Sequence, residues 1–228
     1  MNISSNHPTV HEFISNELRT LNFLGSKSFI QKHFSPLHSD ALNAYTNQNI
    51  SGKKTQFEFH TSFDFNIEKR KRKVVIEIDI RPKYERVSYC LCFCETNSEP
   101  YNAIRKFHFD FALAQQKTNF PVPVYHLQYG GDTSPYLTSS NVSIASLQPW
   151  LSVPRIINTP INLALLIDYI LNEFASEETV TIANRKEWKD LIKQNEDLLL
   201  VPYYKGLNQF IARDHKSTYL IREFCYGR

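Results

Sequence analysis

The chain has 228 residues, with 26 Lys and Arg against 23 Asp and Glu, giving a formal charge of +3. Hydrophobic residues make up 42% and aromatics 13%, including 16 Phe and 12 Tyr, which excludes a disordered chain and suffices for a core. The length suits one domain, and so small a charge surplus does not by itself imply nucleic acid.

In chain order, residues 9 to about 48 read as helical. Thr9 can cap the first helix, with Glu12 three residues on, as a capping box needs. Phe13, Ile14, Leu18 and Leu21 then recur at helical spacing, and Gly25 ends the run. A weaker helical stretch follows, interrupted at Pro36. The opening "MNISSNHPTVHEF" lacks a basic region followed by an apolar one, so no secretory signal is expected.

Residues 55 to 130 are a run of strands. In "FEFHTSFDFNI", Phe57, Phe59, Phe63, Phe65 and Ile67 alternate with Glu58, His60, Ser62, Asp64 and Asn66. "VVIEIDI" repeats the pattern, setting Ile76, Ile78 and Ile80 against Glu77 and Asp79. "VSYCLCFCE" is apolar on both faces. "RKFHFDFA" and "PVYHLQYGG" complete the set, and short connectors favour antiparallel pairing. Residues 131 to 150 form a Ser/Thr-rich loop. Thr159 is then a good N-cap and Pro160 suits the first turn of a helix that runs to about Phe174, apolar nearly all round and so buried on the sheet. Another helix is expected from Asn184, and Pro202 opens a last one.

The expected fold is therefore α+β, an antiparallel β-meander of about five strands flanked by N- and C-terminal helices. It forms a single domain over residues 1–228, with a helical segment at 1–50, the sheet at 51–131, and a loop plus helices at 132–228. The stretch "INLALLIDYIL" is too short to span a bilayer and contains Asp168, so no membrane contact is expected. Of the four cysteines, three lie in "YCLCFCE" and the fourth is Cys225, which is no disulfide framework; a cytoplasmic protein is expected.

Candidate chemistry is sparse. Cys90, Cys92 and Cys94 share one strand face, where residues two apart stand roughly 6.5–7 Å from each other. Zinc thiolates must converge at about 2.3 Å from the metal, so these cysteines read as small buried hydrophobes. The run Lys69, Arg70, Lys71, Arg72 and Lys73 lies between two strands. It reads as a solvated hairpin end that protects the sheet edge, or as a finger contacting nucleic-acid phosphates. "QYGGDTS" lacks both Walker and dinucleotide spacing, and the G-x-S-x-G elbow is absent. No metal site and no cofactor are expected.

The richest segment is "RKFHFDFALAQQKTNFPVPVYHLQYGG". If its two strands pair, His108, Asp110, His126 and Gln128 cluster, because facing Cβ atoms stand about 4.5–5.5 Å apart. His108-x-Asp110 resembles the start of the facial triad of 2-oxoglutarate oxygenases. However, His126 follows by only sixteen residues, with no basic follower. His215, trailed by Lys216 and Arg222, is better spaced but falls in a stretch read as helical. A His/Asp pair can also serve as general acid and base, as in RNA cleavage. Arg155, between prolines 154 and 160, is a natural bidentate partner for Asp110. The expected outcome is one polar node of Asp110, His126 and Arg155 tying the sheet to the buried helix.

"FHFDF", "PVYHLQYGG" and "VPRI…TPINLALLIDYILNEF" together resemble an uncharacterised prokaryotic family, a domain of unknown function found near mobile elements and defence genes. The matching positions are Phe109, Asp110, Phe111, Pro123, His126, Leu127, Arg155, Ile156, Pro160, Asp168, Tyr169, Ile170 and Leu171, within about residues 105 to 174. The family pattern has Arg where this chain has His108, which counts against His108 as a metal ligand, and a Pro where it has Ile157. The resemblance implies a setting: a non-catalytic, partner-binding component of an anti-phage defence or toxin–antitoxin-like assembly. Protein partners are expected there, with RNA or DNA as a further contact through Lys69 to Lys73. The competing expectation is a nuclease-type toxin using His108, Asp110, His126 and Arg155.

Overall fold

The computed structural model describes residues 10–31, 33–34, 57–67, 70–81, 86–96, 101–112, 125–130, 142–143, 155–174 and 176–212. It begins with helix α1 (Val10–Ser26). Seven strands follow: β1 (Phe57–Ile67), β2 (Arg70–Arg81), β3 (Arg86–Glu95), β4 (Tyr101–Ala112), β5 (Tyr125–Tyr129), β6 (Val142–Ser143) and β7 (Arg155–Ile157). Helices α2 (Leu163–Glu173), α3 (Glu177–Ala183) and α4 (Lys186–Ile211) close the described part. The fold is α+β. The sheet runs β1-β2-β3-β4-β5-β7 with antiparallel neighbours, and β6 pairs β4 in parallel.

Apolar alternation explains β1, β2, β4 and β5. Every residue of β3 between its two ends is buried, because this strand is central and covered on both faces. One face carries Ile76, Ile78, Ile80, Tyr89, Leu91, Phe109 and Phe111 into a core shared with the helices. There α1 delivers Phe13, stacked 5.9 Å from Phe111, and α2 is followed by Phe174, 4.8 Å from Phe93. Each such side chain contributes about 1.5–3 kcal/mol when fully buried. Trp188 of α4 is also fully buried, and its indole N–H donates to Asp168 Oδ1 of α2 at 2.7 Å.

Several expectations are corrected. Strand β6 falls where loop was expected and β7 where no element was expected, since two and three residues are too few to show a period. The buried helix starts three residues later than expected. Asn162, not Thr159, is its N-cap, with extended backbone and a side chain accepting from Leu165 N at 3.1 Å. Helix α3 was not anticipated, although Ser176 and Thr179 form a capping box. Pro202 opens no helix but lies inside α4. Leu199 and Tyr203 hold the chain to the core on either side, and Tyr203 meets Tyr125 edge-on at 5.7 Å. That packing offsets the N–H that proline removes. Residues 28–31 and 33–34 are helical, while the Thr9 cap, Pro36, Cys225 and His215 lie outside the described residues.

Candidate functional site

The opposite face of the sheet carries the polar side chains, and the register sorts them into rows. One row runs Glu77, Cys90, His108, Gln128 and Arg155 across β2, β3, β4, β5 and β7. The next runs Asp79, Ser88, Asp110, His126 and Ile157. Strands β4 and β5 therefore do bring His108, Asp110, His126 and Gln128 together.

Asp110 and His126 are directly opposed, with Nε2 3.2 Å from Oδ2 and side-chain exposures of 11% and 3%. Burial alone would push the Asp110 carboxyl up. The hydrogen bond and charge of His126, the hydrogen bond of Ser88 and the charge of His108 outweigh it, so Asp110 titrates below the ordinary carboxylate range. It is held ionised against the imidazole. Arg155 faces Gln128 rather than the Asp110 row, at the outer strand of the sheet, and its side chain lies outside the described residues.

This face is drier than its polar sequence suggests. Lys106 is fully buried, and Glu77 and Gln128 nearly so. Sequence reasoning placed Glu77 and Lys106 on this side but did not single them out. The available signal was β3 itself: a strand apolar on both sides implies that its neighbours are covered on both sides too. Cys90 sits between Glu77 and His108 in its row. Burial first, then the charge of Glu77, push its thiol well up despite Lys106. A neutral thiol donating to Glu77 is no activated nucleophile.

Val75, Cys90, Cys92, Cys94 and Ala103 form a buried apolar cluster, and the three cysteines are free. Cys92 and Cys94 place their sulfurs 3.7 Å apart, closer than a flat strand allows, because the register shifts at Phe93/Cys94. The hydrogen bond to Cys94, with burial, pushes the Cys92 thiol up. Among the described residues, no group of three His, Cys, Asp or Glu is placed to hold a metal ion.

The basic run is strand rather than loop from Arg70 to Lys73, and Lys69 lies outside the described residues. Alternation splits it. Lys71 and Lys73 both reach Asp64, at 2.7 and 3.2 Å, and Lys73 lies 5.0 Å over the Tyr101 ring. Arg72 meets Glu95 at 3.5 Å. Arg70 and Lys71 stay exposed. Beside this end of the sheet is a cavity of about 500 Å³ lined by Asp64, Phe65, Lys71, His33, Glu178 and Ile182 among others, with His33 Nε2 3.2 Å from Glu178 Oε1. Among the described residues, no helix is long and apolar enough to cross a membrane.

Comparison with known proteins adds no homologue to this geometry: no family model matches the chain, and no curated protein or solved structure gives a significant match.

Proposed function

We propose that this chain is a non-catalytic, partner-binding component of a cytoplasmic prokaryotic defence or toxin–antitoxin-like assembly. The observation that carries the non-catalytic part is the burial of the Asp110–His126 pair within the sheet, its side chains 11% and 3% exposed. An acid–base pair needs reach to a substrate proton. Here both side chains are packed within the sheet, and the nearby Cys90 thiol is held neutral. The assembly setting is supported by the sequence resemblance across residues 105 to 174. Nucleic acid is the proposed second contact, through the exposed Arg70 and Lys71, with salt-dependent affinity. Co-expression with the products of neighbouring genes tests this: a stoichiometric co-eluting partner is expected. A clean monomer with no affinity for those products, RNA or DNA overturns it.

A nuclease toxin is the second reading. It is favoured by the ionised Asp110 beside an imidazole, an arrangement that can orient a histidine base. It requires growth inhibition on expression, abolished in His126→Ala with the fold intact. Inhibition that persists in that variant removes it.

A further inference from the structure

Glu17 stands one turn after Phe13 and one turn before Leu21, in the stripe of α1 that faces the core. It is fully buried. Its Oε1 accepts the Tyr89 hydroxyl of β3 at 2.7 Å and the backbone N–H of Leu163, the first residue of α2, at 3.2 Å. Its other oxygen, Oε2, has no hydrogen-bond partner. From β3 the titratable group facing it is Tyr89, and α2 offers the Leu163 amide with Asn162 before it; Asn16 and Thr20 are its buried neighbours on α1, and Asn195 of α4 is buried too. Those asparagines are joined to one another: Asn16 and Asn162 both donate to Asn195 Oδ1, and Asn195 donates to Leu191 O. Among the described residues no basic side chain pairs with Glu17.

A buried carboxylate without a cation is costly as the anion, and a helix N-terminus with one phenol offsets only part of that. We propose that Glu17 is a proton-controlled latch on α1, which docks tightly against β3 and α2 when the carboxyl is protonated and loosens when it ionises. The latch works near neutral pH, because burial pushes the Glu17 carboxyl up to about 7 against the hydrogen bonds of Tyr89 and Leu163. Loosening uncovers Phe13, Leu21 and Leu24, the side chains that α1 itself buries in the core. The device is independent of the Asp110–His126 pair and goes beyond the proposed function.

Hydrogen exchange read by mass spectrometry tests it on the full chain, one pH unit either side of about 7. After correction for intrinsic exchange, protection of α1 amides should fall about tenfold from the lower to the higher pH, while α4 is unchanged. Glu17→Gln should abolish the fall. Tyr89→Phe, which removes a hydrogen bond to the anion, should move the transition to higher pH. Unchanged α1 protection in the wild type overturns the latch, as does the same fall in Glu17→Gln. If Glu17→Gln does not fold, a transition unmoved in Tyr89→Phe overturns it.

Discussion

Replacing His126 with alanine strands the Asp110 carboxylate inside the sheet. At 3.2 Å, with His126 protonated, the two charges attract by about 5 kcal/mol at an effective dielectric of about 20. Desolvation offsets much of that gain, yet removing one partner of a buried pair still costs about 3–5 kcal/mol, because the survivor is left uncompensated. The alanine also leaves a void, so the pair must be isolated from the packing loss. Urea unfolding of wild type, His126→Ala, Asp110→Asn and the double variant forms a cycle, and its coupling energy should lie near the upper part of the usual 0.5–3 kcal/mol range, roughly. The sign with pH is fixed by Asp110, whose folded-state value is lowered. Its stabilisation is present above the unfolded value of about 3.9 and is lost as pH falls through the lower folded value. The gap between wild type and His126→Ala should therefore narrow in acid below about pH 4. Additivity of the two single variants to within about 0.5 kcal/mol would refute the claim that the pair is a buried clasp.

Other consequences are smaller in scope. Asp168→Ala leaves the buried Trp188 indole N–H without its acceptor and should cost about 1–3 kcal/mol, read from Trp fluorescence during urea unfolding. Cys90, Cys92 and Cys94 are buried and free, so peptide mapping after treatment with a thiol reagent should find them unlabelled in the folded protein and labelled in urea. Where nucleic acid binds, Lys71→Ala should lower the slope of log affinity against log salt by about 0.9 if it contacts one phosphate. An unchanged slope would place the contact elsewhere.

The strands were legible because period-two alternation is a direct consequence of the pleat, and Ile76, Ile78 and Ile80 show it without interruption. The His108/Asp110/His126/Gln128 cluster was legible for the same reason: two alternating strands that pair put their polar residues on one side. The strand that carries Arg155 opposite Gln128 was not legible, since register across a three-residue strand has no sequence signal. Thr159 and Asn162 are both good caps, and which one caps is decided by tertiary placement of the chain before α2. Pro202 reads as a helix start by local rules, but core contacts on both sides carry α4 through it. Glu17 was overlooked because a lone acid in an amphipathic helix reads as solvated. Its spacing of four from both Phe13 and Leu21 was the signal that it points inward.

A direct comparison separates a clasp from a catalytic pair. Purified wild type and His126→Gln, each checked for an unchanged fold by circular dichroism, are incubated with single-stranded RNA and DNA and the products resolved by size. A non-catalytic protein leaves the strands intact with both chains, whether or not they bind. Cleavage by the wild type that is lost in His126→Gln would contradict the account.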